Sequence, residues 1–243
     1  MTRFTTFAAA VAMVFAVASP GFGVIFFEDN FDTYTSGNSV TTESGGLWTG
    51  AANMLVSNSV TGMSGNAIDG TTAGTCCDSV TATFTQVSLS GPQDLRFSAR
   101  VSEISSNQEF AFYNESGDRL FLISSVNPGN LRIYDGAVSH EFPALPNTTD
   151  PIDIVATISG SQNLSVNATQ GGSYDETIAI SAWQNPATHI GHFNIGWDER
   201  SPSAPGWNVD NVVLEEIPEP TSLLLAGLGL VGLTLAGRRR RNR

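Results

Sequence analysis

Between Asp94 and Ile104, apolar and polar residues alternate singly. Leu95, Phe97, Ala99 and Val101 fall on one face of an extended chain, and Arg96, Ser98, Arg100 and Ser102 on the other. The same period recurs at Ile152, Ile154, Ala156 and Ile158, at Leu164, Val166 and Ala168, at Ile178, Ile180 and Ala182, and at Phe193, Ile195 and Trp197. Val80 to Leu89 and Trp207 to Leu214, rich in Thr, Val and aromatic residues, predict two further strands. Turn signals separate the runs at Asn114 to Asp118, Asn127 to Asn130, Asp135-Gly136, Ser159-Gly160 and Gly171-Gly172. Asp135-Gly136 predicts a hairpin over Asn130 to Ser139. Short strands about 8–12 residues apart, with no helical stretch, predict an all-β fold: a two-sheet antiparallel β-sandwich of the jelly-roll type. No repeat with a period of about 20–50 residues is visible, which argues against a propeller or solenoid.

Both ends break this pattern. Arg3, the apolar run Phe7 to Val17 and the small-x-small site Ala16-Val17-Ala18 predict a secretory signal peptide over residues 1–23. At the other end, Pro218-Glu219-Pro220 precedes an uncharged stretch, Thr221 to Gly237, and then Arg238, Arg239, Arg240 and Arg241. As a helix that stretch would span about 25 Å, just short of a ~30 Å hydrocarbon core, and modest bilayer thinning would cover the deficit. The arginines would stay on the cytoplasmic side and leave residues 24–217 outside as one domain. Gly227, Gly229 and Gly232 have dinucleotide-motif spacing, but no strand or following acid supports that use, and they suit helix packing in a membrane.

A Pro-Glu-Pro, a short Leu/Gly-rich helix and a terminal Arg run together resemble the PEP-CTERM sorting signal of Gram-negative bacteria, over residues 218–243. The resemblance implies an exported protein that meets signal peptidase and then exosortase. It would be tethered in the inner membrane by the C-terminal helix and then delivered to the cell surface or beyond. It also implies a host that secretes exopolysaccharide and forms biofilm. The body resembles laminin-G and concanavalin-like jelly rolls at Phe27 to Asp32, Trp48 and Trp207 to Val213, the expected first and last strands. That resemblance implies terminal strands paired in one sheet.

Composition narrows the partners. The body carries 22 Asp and Glu against five Arg, and the chain contains no Lys. Such a charge repels phosphate backbones, so nucleic acid is not an expected partner. The acidity suits solubility, cation binding or recognition of neutral sugars.

Candidate chemistry is sparse. No two of the 23 acids stand two residues apart, so the paired carboxylates that a strand would present to a glycosidic bond are missing. No Gly-x-Ser-x-Gly elbow occurs. His189 and His192, three apart on a strand, face opposite ways, and adjacent Cys76 and Cys77 lack the spacing of a zinc knuckle. The two cysteines are left with three states: a strained vicinal disulfide, pairing between chains, or free thiols. Glu28, Asp29 and Asp32 at the first strand would meet Asp210 and Asn211 in the last if the termini pair, giving oxygen ligands for a structural Ca²⁺; solvated edge acids are the plainer alternative. No other cofactor is expected.

Among the aromatic residues Trp48, Trp183, Trp197, Trp207, Tyr113, Tyr134 and Tyr174, two stand beside loop-like segments. These are Trp183 and Trp207, the candidate sugar-stacking residues, whereas Trp197 shares a face with apolar neighbours and reads as core. The expected function is non-catalytic carbohydrate binding, with exopolysaccharide as partner. A structural matrix protein without a small ligand and a polysaccharide hydrolase or lyase are the alternatives.

Overall fold

A computed structural model describes residues 23–70, 78–91, 93–104, 108–183, 185–197 and 207–217. The signal-peptide run, Cys76 and Cys77, the sorting segment 218–243 and the side chain of Trp197 lie outside the described residues. Sixteen strands alternate with turns: β1 Ile25–Asp29, β2 Trp48–Gly50, β3 Leu55–Ser57, β4 Ala67–Asp69, β5 Ser79–Ala82, β6 Val87–Ser88, β7 Leu95–Ser102 and β8 Gln108–Asn114. The second half contributes β9 Arg119–Asn127, β10 Asn130–Tyr134, β11 Ser139–Glu141, β12 Ile152–Ile158, β13 Leu164–Gln170, β14 Tyr174–Ile180, β15 His189–Trp197 and β16 Asn208–Glu216. A single helical turn, α1 Val40–Glu43, lies between the first two strands.

The strands form two antiparallel eight-stranded sheets. Sheet A runs β14-β13-β12-β7-β16-β4-β3, with β1 also paired to β16. Sheet B runs β11-β10-β9-β8-β15-β5-β2, with β6 also paired to β15. Single alternation explains the layering: in β7 the residues Leu95, Phe97, Ala99 and Val101 are buried, while Arg96 is exposed and Ser98 and Arg100 are part-exposed. Between the sheets lies an aromatic core. Phe97 meets Phe110, Phe112 and Phe193 edge to face at 5.1, 5.0 and 5.3 Å between centroids, and Phe112 stacks on Phe121 at 4.6 Å. Residues Ile25–Glu216 form one compact unit.

The terminal strands pair, Phe27 opposite Leu214 and Asp29 opposite Val212. The Asp135-Gly136 hairpin forms with Tyr134 opposite Ser139. Two boundaries differ from the sequence reading. Val80 to Leu89 is two short strands, because β5 and β6 pair with different stretches of β15. The β14 strand begins at Tyr174 and ends at Ile180, so Ala182 is an exposed residue beyond it.

Candidate functional site on the outer face of sheet B

The strand period decides which side chains leave the core. In β8, Phe110 and Phe112 point inward and are fully buried, which puts Glu109, Ala111 and Tyr113 on the outer face. Cross-strand register then aligns their neighbours: His192 of β15 and Arg119 of β9 stand opposite Tyr113 on either side. One strand further on, Tyr134 of β10 stands opposite Leu122 of β9, and Arg132 opposite Ser124.

These residues touch. The Tyr113 and His192 rings stack with centroids 4.6 Å apart and planes 10° from parallel. The Arg119 guanidinium lies 5.7 Å from the Tyr134 ring centroid and that of Arg132 lies 6.0 Å from it, both within cation–π range. Arg132 is oriented further by donating from Nε to Ser124 Oγ at 3.0 Å and from Nη1 to Ser139 Oγ at 3.1 Å. The Tyr134 hydroxyl donates to the Gly136 carbonyl at 2.8 Å. His192, Tyr113 and Arg119 thus form one cross-strand row over β15, β8 and β9, and Tyr134 and Arg132 of β10 lie one and two rows further along the strands.

Electrostatics keeps part of this row neutral. Burial pushes the His192 imidazole below its ordinary pKa. Burial also raises the Tyr113 phenol, the Glu109 carboxylate adds to that rise, and Arg119 opposes it. At neutral pH both rings are therefore uncharged groups that can donate and accept hydrogen bonds. Beside the row, Asn194 of β15 stands opposite Ala111. Its Oδ1 is buried with no hydrogen-bond partner among the described residues.

The geometry of the row depends on a bulge. Register shifts between Ile190 and His192, leaving Gly191 unpaired. A Cβ at Gly191 would sit 2.5 Å from the Asn114 carbonyl oxygen, so only glycine lets β15 approach β8 closely enough for His192 to meet Tyr113.

The residues singled out from sequence lie elsewhere. Trp207 is fully buried, its indole Nε1 donating to Ser125 Oγ at 3.0 Å and its ring packing edge to face on Phe110 at 5.5 Å. Trp183 is 5% exposed and packs on Phe121 at 5.6 Å. Neither offers a ring face to a sugar, because each side chain packs in the core. Tyr113 and Tyr134 carry the aromatic surface instead. The signal for Tyr113 lay in Phe110-Ala111-Phe112-Tyr113, where the second aromatic phase falls on the outer side of the strand. The partners His192, Arg119 and Arg132 come from other strands and have no local signature.

The terminal acids are also arranged differently from a calcium site. Asp29 is buried, and its carboxylate accepts from Phe31 N at 2.8 Å, Tyr34 OH at 2.6 Å and Trp48 Nε1 at 2.7 Å. Three of its roughly four acceptor positions are thus taken by the protein. Glu28 is exposed, on the opposite side of β1 from Asp29. Asp32 is exposed and accepts from Asn66 N at 3.4 Å. Asp210 is buried, and accepts from Asn211 N at 2.7 Å and Asn211 Nδ2 at 3.0 Å. Among the described residues, no group of three or more His, Cys, Asp or Glu is placed to hold a metal ion. Terminal pairing therefore brings Asp29 and Asp210 near one another without making a ligand set of the four.

Sheet A carries an open groove of about 450 Å³ lined by Asp94, Thr157, Ser159, Asn163, Ser165 and Ser181 among others. Leu164, Ala179 and Ile180 complete its lining, which has no aromatic ring. Among the described residues no helix is long and apolar enough to cross a membrane.

Comparison with known proteins adds two findings. Residues 216–241 match the PEP-CTERM protein-sorting motif, which implies an exported protein processed by exosortase. No curated protein matches the chain. Similar solved structures include a sialidase at 11% identity and TM-score 0.52, matched over 78% of this chain and 18% of that one. A carbohydrate esterase from the Shiga toxin-encoding bacteriophage phi24B matches at 12% identity and TM-score 0.50, over 80% and 99% of the two chains. A Trypanosoma rangeli sialidase mutant displaying trans-sialidase activity matches at 16% identity and TM-score 0.50, over 82% and 31%. The chain thus spans under a third of either sialidase. At these identities the likeness establishes the sandwich fold alone.

Proposed function

We propose that this is an exported carbohydrate-binding sandwich that holds exopolysaccharide on the outer face of sheet B. The observation that carries the reading is the group His192, Tyr113, Arg119, Tyr134 and Arg132 on one face, which combines aromatic surface with oriented polar groups. Sugar sites pair such rings with a few fixed hydrogen-bonding groups. The names of the three similar structures, two sialidases and a carbohydrate esterase, are consistent with a sandwich used on sugars.

The reading is of binding without catalysis. Glycoside hydrolysis needs two carboxyl groups about 5–9.5 Å apart. On this face Glu109 and Glu141 are separated by Ser124 and Arg132 on the strands between them, so the two are about 14 Å apart. The test is co-sedimentation of the full-length chain, in detergent, with a panel of insoluble bacterial and plant polysaccharides. We expect saturable binding to at least one, weakened about tenfold or more by Tyr113→Ala. Binding that Tyr113→Ala and Tyr134→Ala both leave intact would move the site off this face.

A further inference from the structure

The sorting motif follows the folded sandwich with almost no chain between them. β16 ends at Glu216, Ile217 intervenes, and Pro218-Glu219-Pro220 begins. Two backbone steps separate Glu216 from Pro218, a reach of at most about 7 Å. Pro218 carries no N–H with which to continue a ladder. β16 is an inner strand of sheet A, and it stays paired close to its end. Glu215 stands opposite Ile25 of β1 on one side and Arg96 of β7 on the other, and Glu216 stands opposite Leu95 of β7. Neighbouring strands lie about 4.8 Å apart. An enzyme that closes on the chain at Pro218 therefore meets β1 and β7 beside it.

What holds this end is weak, and the weakness stops at a defined residue. Glu215, Glu216 and Ile217 are part-exposed. The ion pair of Arg96 with Glu215, at 3.5 Å, lies on the surface, where such pairs contribute little. Ile25, on the other side of Glu215, is 53% exposed. The next residue inward, Leu214, is fully buried and stands opposite Phe97, which is fully buried too. Strand ends with few buried contacts open locally far more often than the core does. Release of Glu215 to Ile217 lengthens the free chain between Leu214 and Pro218 to four steps, about 14 Å. We propose that exosortase acts on an opened form of this protein, in which Glu215, Glu216 and Ile217 have left sheet A while Leu214 still anchors β16. The inference rests on the processing that the sorting motif implies, and it is independent of the glycan reading. When opening and closing are fast relative to processing, the rate follows the population of the open form. Processing is thereby tied to the strength of pairing at the end of the last strand.

The experiment incubates the full-length chain, in detergent, with membranes containing exosortase and follows loss of the tail by intact mass. Three variants are compared with the wild type. Arg96→Cys/Glu215→Cys sets two thiols opposite each other, at the roughly 4.5–5.5 Å Cα separation of an antiparallel pair, which is within disulfide range. Oxidised, it fastens the end of β16 to β7; reduced, it frees it. A second variant carries a six-residue Gly/Ser insertion between Ile217 and Pro218, and a third carries both changes. We expect oxidation to slow processing of the cysteine pair at least tenfold, while the wild type changes less than twofold between the same two conditions. The insertion should speed processing at least fivefold and remove the effect of oxidation, because reach then no longer depends on opening. Near-ultraviolet circular dichroism checks folding, and titration of free thiols checks the bond; if the bond does not form, the insertion alone decides. An oxidised pair processed as fast as the reduced one, or an insertion without effect on the rate, would overturn the inference. Failure of every chain to be processed, while another protein with a PEP-CTERM tail is processed by the same membranes, would overturn it as well and leave the glycan reading untouched.

Discussion

Asp29 shows how one side chain can organise the start of the sandwich. Its carboxylate ties together the turn at Phe31, the Tyr34 phenol and the Trp48 indole. Burial, first, and the Asp29 hydrogen bond raise the Tyr34 phenol well above its ordinary pKa, so Tyr34 remains a donor throughout the physiological range. Asp29→Ala would leave three donors without their acceptor, and we expect a loss of roughly 3 kcal/mol or more in urea unfolding. Asp210 acts in the opposite sense. Burial lifts its pKa to about 6, with the charges of Asp32 and Asp29 adding to the rise and Asn211 and Arg100 opposing it. The unfolded carboxyl ionises near pH 3.9, so the folded state binds the extra proton between about pH 4 and 6. Stability conferred by this group is full below that window and falls as pH rises through it, by roughly 3 kcal/mol in all. Asp210→Asn should therefore gain on the wild type as pH increases from 4 to 6 in denaturant titrations. A constant difference between the two proteins over that range would contradict this account. Neither role was visible in the sequence, where both acids fitted a calcium site equally well; only the folded chain shows that Phe31, Tyr34 and Trp48 reach Asp29 and that Asn211 turns back on Asp210.

The elements were more legible than the residues they carry. Alternation along β7, β12 and β13 corresponds to buried and exposed positions in the structure, because strands facing a core on one side must alternate. Asp135-Gly136 marked its hairpin for the same local reason. Burial of Trp183 and Trp207 was not local: neighbouring loop residues say nothing about where an indole points. The candidate site failed to appear for a related cause. Its rings and guanidiniums are spread over four strands and join only through register, and that register depends on the bulge at Gly191. Gly191→Ala should push β15 from β8 at Asn114, lower the unfolding free energy by about 1–3 kcal/mol and weaken glycan binding with it. Gly171→Ala, where a Cβ meets nothing within 4 Å but φ is +60°, should cost only about 1 kcal/mol and leave binding unchanged. Thermal unfolding and the polysaccharide assay on the same preparations check both.

For the whole molecule, the sequence reports destination better than activity. Targeting segments are read as linear strings, so Pro218-Glu219-Pro220 and its tail could be recognised without a fold. In a host that makes exosortase, intact-mass analysis should show a mature chain ending near that motif, and Glu219→Ala should leave the tail attached. A binding face, by contrast, is a property of the assembled surface, where strand register brings Tyr113 to His192 and sets Arg119 and Arg132 beside Tyr134. The most direct test of that surface is hydroxyl-radical footprinting of the full-length chain with and without a saturating polysaccharide chosen from the panel. The account predicts protection at Tyr113, Tyr134 and His192, with Val155 on the outer face of sheet A unchanged. Protection confined to sheet A, or none at the three sheet B residues while the polysaccharide is bound, would contradict it.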